Sequence, residues 1–339
     1  MQQVTIIGMG LIGTSIGLAL KGAQLDHIQI VGTDMDSSAS GKAKRKGAID
    51  KVSKNLVSSI DGSGLVIIAT PVMAIKEIMK LIGPYLSEGC IVTDTGSTKG
   101  IVLEWAKEYL PKHVNFVGGH PMAGKEISGP DAAEITLFEQ ASYCIIPSPD
   151  ASGDSVKTIV SLAETLGAIP FFLDAKEHDS FAAAASHLPF ILSTILVNAT
   201  NSSQSWDEIA MLTSSGYRDI SRLASGDPEM SRDICLTNSE EIIYWIDESI
   251  KELYELRTKI KDNNSDSIIE IFIKAWEARG GWLAGVPKRK DTLKSNAVPS
   301  LADSATTFLM GDRFAGRRRE IIERTKRDPL KYFRKQQKR

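Results

Sequence analysis

The feature that most narrows the fold is local. Three glycines at fixed spacing, Gly8-Met9-Gly10-Leu11-Ile12-Gly13, follow an apolar run and open a helical pattern, TSIGLALKG. In that setting Gly8 permits a tight turn, Gly10 lets the backbone approach a pyrophosphate, and Gly13 allows close packing of helix on strand. The helix that starts at Leu11 and Ile12 presents free N–H groups and a partial positive charge to phosphates. Asp34 ends the next β-rich run, IVGTDMD, roughly twenty residues on, where a carboxylate accepts hydrogen bonds from ribose hydroxyls. A 2′-phosphate would meet like charge there, and no arginine follows directly, so the expected cofactor is NAD. Asp36 reads as a helix cap.

Around this motif, short β-rich runs alternate with helical patterns, which is how a parallel sheet with crossover helices appears in sequence. Candidate strands are 4–8, 28–33, 65–69, 90–93, 114–118, 143–147 and 170–173. Several are unbroken apolar runs, as expected of strands covered on both faces. The pattern predicts an α/β, Rossmann-type doubly wound sheet over residues 1–173. From residue 174 to 284 the texture is helical, beginning with SFAAAASHLPFILSTILVNAT, so an all-helical second domain is expected. Its apolar faces exceed what one layer buries against itself, which points to a homodimer through these helices.

Residues 285–339 form a basic extension. Twelve basic residues stand against four acidic ones from Gly311 to Arg339. Aromatics are not interleaved there, and the net charge of the whole chain is −2, so a solvated or subunit-clasping tail is expected rather than a nucleic-acid partner. The extension has no strand–helix alternation and does not read as an effector-binding module. Cys90, Cys144 and Cys235 are far apart, each in or beside an apolar run, and read as reduced core residues with no metal site. No run approaches the ~20 apolar residues of a membrane span. The N-terminus enters a strand without a basic leader, so a cytoplasmic enzyme is expected.

In an open parallel sheet, ligands bind beyond the carboxyl ends of the strands. That rule selects Thr70-Pro71, Asp94-Thr95-Gly96-Ser97 and Gly119-His120-Pro121. Ser97 can cap the helix that follows, assist catalysis, or do both. His120, between Gly119 and Pro121 at the mouth of the sheet, has little core to satisfy and is assigned a catalytic role.

At this point the chain resembles a known family. His-Pro-Met-Ala-Gly after a glycine pair, with Gly-Ser-Thr-Lys-Gly upstream, is similar to the prephenate and arogenate (cyclohexadienyl) dehydrogenases. Ser186-His187-Leu188-Pro189 matches that family's helical motif. Gly216 to Ala224, GYRDISRLA, with Asp227-Pro228, matches its substrate-anchoring segment. The likeness covers roughly residues 4–261. It implies NAD-dependent oxidative decarboxylation of prephenate to 4-hydroxyphenylpyruvate in tyrosine biosynthesis. His120 would accept the hydroxyl proton with Ser97 assisting. Arg222 and Arg218 would bind a side-chain carboxylate through the guanidinium fork.

The chain departs from the family in places. Members often carry a second histidine where Phe190 stands, an aromatic residue can occupy the position of Ser231, and Lys125 follows Gly124 where the substrate side chain would approach. His187 is open between a ligand contact and a helix-packing role. Arogenate and 4-amino-4-deoxyprephenate remain alternative substrates. A β-hydroxyacid dehydrogenase would need a lysine in the helix 180–200, which has none. A silent NAD-binding protein is opposed by intact Ser97, His120 and Arg222.

Overall fold

A computed structural model describes residues 2–25 and 27–285. The expectations for the basic extension from residue 286 onward fall outside the described residues. The chain divides into two compact units, Met1–Asp247 and Glu248–Arg339.

The first unit is built on eight strands: β1 (Gln2–Ile7), β2 (Ile28–Thr33), β3 (Lys51–Val52), β4 (Ser63–Ile68), β5 (Ile91–Asp94), β6 (Asn115–Pro121), β7 (Ser142–Pro147) and β8 (Ile169–Phe172). They form one sheet in the order β3-β2-β1-β4-β5-β6-β7-β8. Six helices accompany them: α1 (Leu11–Gly22), α2 (Ser37–Arg45), α3 (Leu56–Ser59), α4 (Val72–Ile82), α5 (Gly100–Tyr109) and α6 (Gly153–Thr165). One face of the sheet packs a core of Ile6, Ile30, Ile67 and Ile145 with residues from α1, α2 and α6. The other packs Ile7, Ile68 and Val92 with residues from α4 and α5. Successive side chains of a strand point to opposite faces, so unbroken apolar runs feed both cores at once. This is the doubly wound sheet expected from the sequence.

The sheet is not wholly parallel. β7 runs antiparallel to β6, pairing His120 with Cys144, and β8 is parallel to β7. A parallel return needs a crossover, usually a helix. Residues 122–141 hold only a short turn of 3₁₀ helix, Pro130–Ala132, and deliver Ser142 to the end where β6 stops. β3 escaped the sequence reading because two residues carry no period.

Helices then follow: α7 (Ala175–Ala182), α8 (Leu188–Asn201), α9 (Trp206–Leu212), α10 (Ser215–Ser221), α11 (Pro228–Thr237), α12 (Ser239–Lys261) and α13 (Ser265–Leu283). α7 begins with a capping box made by Asp174 and Glu177. Between α7 and α8 the helix widens into a π turn, Ala183–His187. Pro189 accounts for it: its ring would strike the carbonyl four residues back in a regular helix, and a wider turn relieves that contact. Ala183, Ile234 and Ile242 form a small core with Phe190, Ile191 and Trp245.

One expectation fails here. The continuous helical segment Ala175–Asn201 is long and apolar enough, by length and composition, to cross a membrane. Serines, threonines and histidines interrupt its apolar run, but short hydroxyl side chains and alanines scarcely reduce the average. Leu192 and Ile195 on α8 are exposed in the single chain, as are Met211, Leu212 and Ile220 beyond it. In the second unit, Leu253, Phe272 and Trp282 are exposed likewise.

Candidate active site

The nucleotide end is set by the glycine turn. Gly8 has φ +95°, and a Cβ there would lie 2.3 Å from the Ala69 carbonyl oxygen. A Cβ on Gly13 would lie 1.9 Å from the Gly8 carbonyl oxygen, so only glycine lets α1 start this close to the turn. At Gly10, the residue that precedes α1, a Cβ would meet nothing within 4 Å. The open space lies where a pyrophosphate would approach the N–H groups of Leu11 and Ile12. Asp34 is fixed beside it: its carboxylate accepts the Met9 N–H at 2.6 Å and the Asp36 N–H at 2.8 Å. Asp36 caps α2 by accepting the Ser38 N–H at 2.8 Å. Pro71 leads into α4, and the Thr70 methyl faces Gly8. These residues fit a dinucleotide whose ribose hydroxyls meet the Asp34 carboxylate held just beyond β2.

At the neighbouring strand tips the chain buries charge. Lys99 and Asp94 form a fully buried ion pair. Asp94 also accepts the Gly96 N–H at 2.8 Å and the Gly119 N–H at 3.3 Å. Such a pair adds little net stability, but losing one partner strands a buried charge. It ties the β5–α5 turn to β6 and sets the position of His120.

His120 differs from its expected setting. β6 continues through Pro121 because pairing with β7 carries it past the end of its parallel contact with β5. His120 therefore lies within a strand and is buried, although little core was expected around it. Its Nδ1 is 2.9 Å from Nε2 of His178, whose own Nδ1 is 2.8 Å from an Asp179 oxygen. Burial pushes the His120 pKa well below the usual histidine value, and His178, Lys99 and His187 add to the shift.

Ser97 does not cap α5, which starts three residues later. The cap comes from α7: Asp179 accepts the Lys99 N–H at 2.7 Å and the Gly100 N–H at 2.8 Å. Ser97 is half-buried in the turn, and among the described residues no hydrogen bond joins it to His120.

His187 is fully buried in the π turn. Its Nδ1 is 3.3 Å from the amide nitrogen of Asn238, which also donates to the Asp179 carbonyl at 2.8 Å. Nδ1 is thus the acceptor, and Nε2 carries the proton with no protein partner among the described residues. Burial lowers its pKa to about 4. Phe190 lies 6.1 Å from it, centroid to centroid. Arg222 is paired with Glu126 of the loop after β6, not with Asp219 or Asp227. Arg218 is exposed on α10. The Lys125 ammonium is engaged by Glu134 at 2.5 Å.

His120 and His187 come together around His178, and Arg222 reaches the same post-β6 loop that carries Lys125. The sequence reading missed His178, Asp179, Asn238, Lys99 and Glu126. A signal existed for two of them: His178-Asp179 is an adjacent titratable pair a few residues after the last strand, just before an alanine run.

A glycine-turn nucleotide fold, with a buried neutral histidine at the strand tips and an arginine on the helical side, defines a nucleotide-dependent dehydrogenase of small molecules. Comparison with known proteins narrows the class. Residues 16–170 match the nucleotide-binding domain of prephenate dehydrogenase, and residues 174–274 match its dimerization domain. The chain is 33% identical over 304 residues to prephenate dehydrogenase of Bacillus subtilis, covering 89% of this chain and 80% of that protein. It is 29% identical to cyclohexadienyl dehydrogenase of Zymomonas mobilis, covering 82% of this chain and 95% of that one. Among solved structures, prephenate dehydrogenase from A. aeolicus in complex with hydroxyphenyl propionate and NAD+ aligns with a TM-score of 0.78 at 29% identity, over 83% of this chain and 98% of that chain. Synechocystis arogenate dehydrogenase aligns with a TM-score of 0.70 at 26% identity, over 83% of this chain and 100% of that one. The chain belongs to the prephenate dehydrogenase family.

Proposed function

We propose that this chain catalyses NAD+-dependent oxidative decarboxylation of prephenate to 4-hydroxyphenylpyruvate. The observation that carries the proposal is His120, a buried histidine kept neutral at the carboxyl end of β6, on the same edge of the sheet as the glycine turn that follows β1. The ring gives up its C–H hydride, and bound NAD+ supplies the acceptor. His120 takes the hydroxyl proton through its free nitrogen, and Ser97, in the β5–α5 turn, assists by hydrogen bonding. The carbonyl so formed withdraws the electron pair of the ring C–carboxylate bond, carbon dioxide leaves, and the proton returns from His120 to the phenolic oxygen. Aromatisation drives the step.

Arg222 binds the side-chain carboxylate, which replaces Glu126 as the partner of the guanidinium. Arg218, one helical turn away, adds positive charge to the same approach. The Nε2–H of His187 is a buried donor without an acceptor among the described residues, and a substrate oxygen satisfies it. Lys125 serves chiefly by holding Glu134. Residues 1–173 then carry the nucleotide, and 174–284 carry the substrate side and the subunit contact. The Bacillus relative named prephenate dehydrogenase supports the pyruvyl substrate, and the Synechocystis neighbour named arogenate dehydrogenase keeps the alanyl one as the second reading. The exposed apolar residues of α8 to α10 support a homodimer, in which the apolar length of Ala175–Asn201 faces a second copy and not a bilayer.

Steady-state rates with prephenate and with arogenate, each with NAD+ and NADP+, test the proposal. The highest kcat/KM is expected for prephenate with NAD+. Turnover of arogenate alone would move the substrate to the alanyl side chain, and no turnover of either would refute the reading.

A further inference from the structure

We propose that His178 and Asp179 form a relay behind His120 that fixes which nitrogen of His120 faces the substrate and receives charge from that ring once it is protonated. This rests on His120 as the proton acceptor and assigns positioning roles to two residues that act through it.

The chain of donors starts at Asp179. One of its oxygens accepts the Lys99 N–H at 2.7 Å and the His178 Nδ1–H at 2.8 Å, and the other accepts the Gly100 N–H at 2.8 Å. With three donors directed at it from a helix N-terminus and a ring, the carboxylate acts as acceptor only. His178 must then carry its proton on Nδ1. Burial lowers the His178 pKa despite the Asp179 hydrogen bond, so the ring is neutral and its Nε2 is a lone pair. His120 Nδ1, 2.9 Å away, has to donate to that lone pair. A neutral His120 protonated on Nδ1 leaves Nε2 bare, and Nε2 has no hydrogen-bond partner among the described residues. The acceptor needed for the substrate hydroxyl is therefore set by two residues on α7.

Proton balance follows the same wires. The substrate O–H bond breaks and its proton joins His120 Nε2. His120 Nδ1–H can then pass to His178 Nε2, which puts the positive charge next to Asp179. Return along the path restores the resting state, and nothing is oxidised or reduced within the relay. The charged groups around it come from every neighbouring element: Asp94 and Lys99 from β5 and the turn after it, His187 from the π turn, and Asp179 from α7 itself. Lys99 is offset by Asp94, so Asp179 is the remaining countercharge for an imidazolium at either ring.

The test uses the full chain labelled with 15N-histidine. NMR of the wild-type protein near neutral pH should show His120 protonated on Nδ1 and bare on Nε2, whatever the role of His120 in turnover. A proton on Nε2 overturns the proposal. In turnover, His178→Leu removes the acceptor and frees His120 to adopt the other tautomer, so kcat should fall by about 10²–10⁴-fold with NAD+ affinity unchanged. His178→Gln offers an oxygen to His120 Nδ1–H but cannot pass a proton. It should recover most of that loss while moving the acidic limb of kcat to lower pH. Equal damage from Leu and Gln, or none from either, overturns the relay. Full activity in His120→Asn with the expected NMR pattern would instead remove His120 as the base and leave the tautomer assignment standing.

Discussion

Acid should unfold this protein through His187 in a way that can be calculated. The ring is fully buried on Asn238 and its pKa is lowered to about 4 by burial. In the unfolded chain a histidine titrates near ~6.5. Below that value the unfolded state binds a proton that the folded state refuses, so the stability from this group is intact above pH ~6.5 and is lost as the pH falls toward about 4. One pKa unit corresponds to about 1.4 kcal/mol, so the loss from His187 alone amounts to about 2 kcal/mol at pH ~5 and about 3 kcal/mol at pH ~4. Urea unfolding of the wild type and of His187→Asn, each at pH ~8 and pH ~5, isolates the effect. His120 and His178 titrate in both proteins and largely cancel. The variant should lose about 2 kcal/mol less than the wild type between the two pH values. Equal losses would refute a neutral, buried His187.

Three further outcomes follow from the site. Replacing Asp34 by Ser removes the carboxylate that the turn holds at Met9, so the preference for NAD+ over NADP+ in kcat/KM should narrow; a wild-type preference for NADP+ would misplace Asp34. His120→Asn should cut kcat by about 10²–10⁴-fold with NAD+ binding little changed, and the acidic limb of the wild-type profile should lie below the usual histidine range because the buried ring resists protonation. Lys99→Met leaves Asp94 charged and buried, and should cost about 3–5 kcal/mol in denaturant unfolding; a cost near zero would mean water reaches the pair.

Much of the nucleotide half was legible because its signals are local. The Gly8, Gly10 and Gly13 spacing, the apolar strands and Asp34 each follow from contacts within a few residues or from a sheet buried on both faces. The antiparallel β7 was not legible, since direction depends on whether residues 122–141 form a crossover helix. The site was legible as a set of strand tips and illegible as a network. His120, between Gly119 and Pro121, was placed at the mouth of the sheet with little core around it, yet strand pairing with Cys144 buries it, and the partner that fills the space is His178 from another element. The serine of the β5–α5 turn looked like a helix cap, while the cap is a carboxylate some eighty residues later in sequence. Long-range partners of this kind leave no period or spacing in the chain. Arg222 was recognised by motif, but its pairing with Glu126 arises only when the loop after β6 is folded.

The most direct measurement is a stoichiometry. Prephenate labelled with 13C in its ring carboxylate is incubated with the protein and NAD+, and NADH, labelled carbon dioxide and 4-hydroxyphenylpyruvate are counted against substrate consumed. Oxidation coupled to decarboxylation predicts one equivalent of each, formed at the same rate and lost together in His120→Asn. Labelled carbon dioxide without NADH, or NADH with the ring carboxylate retained, would contradict it.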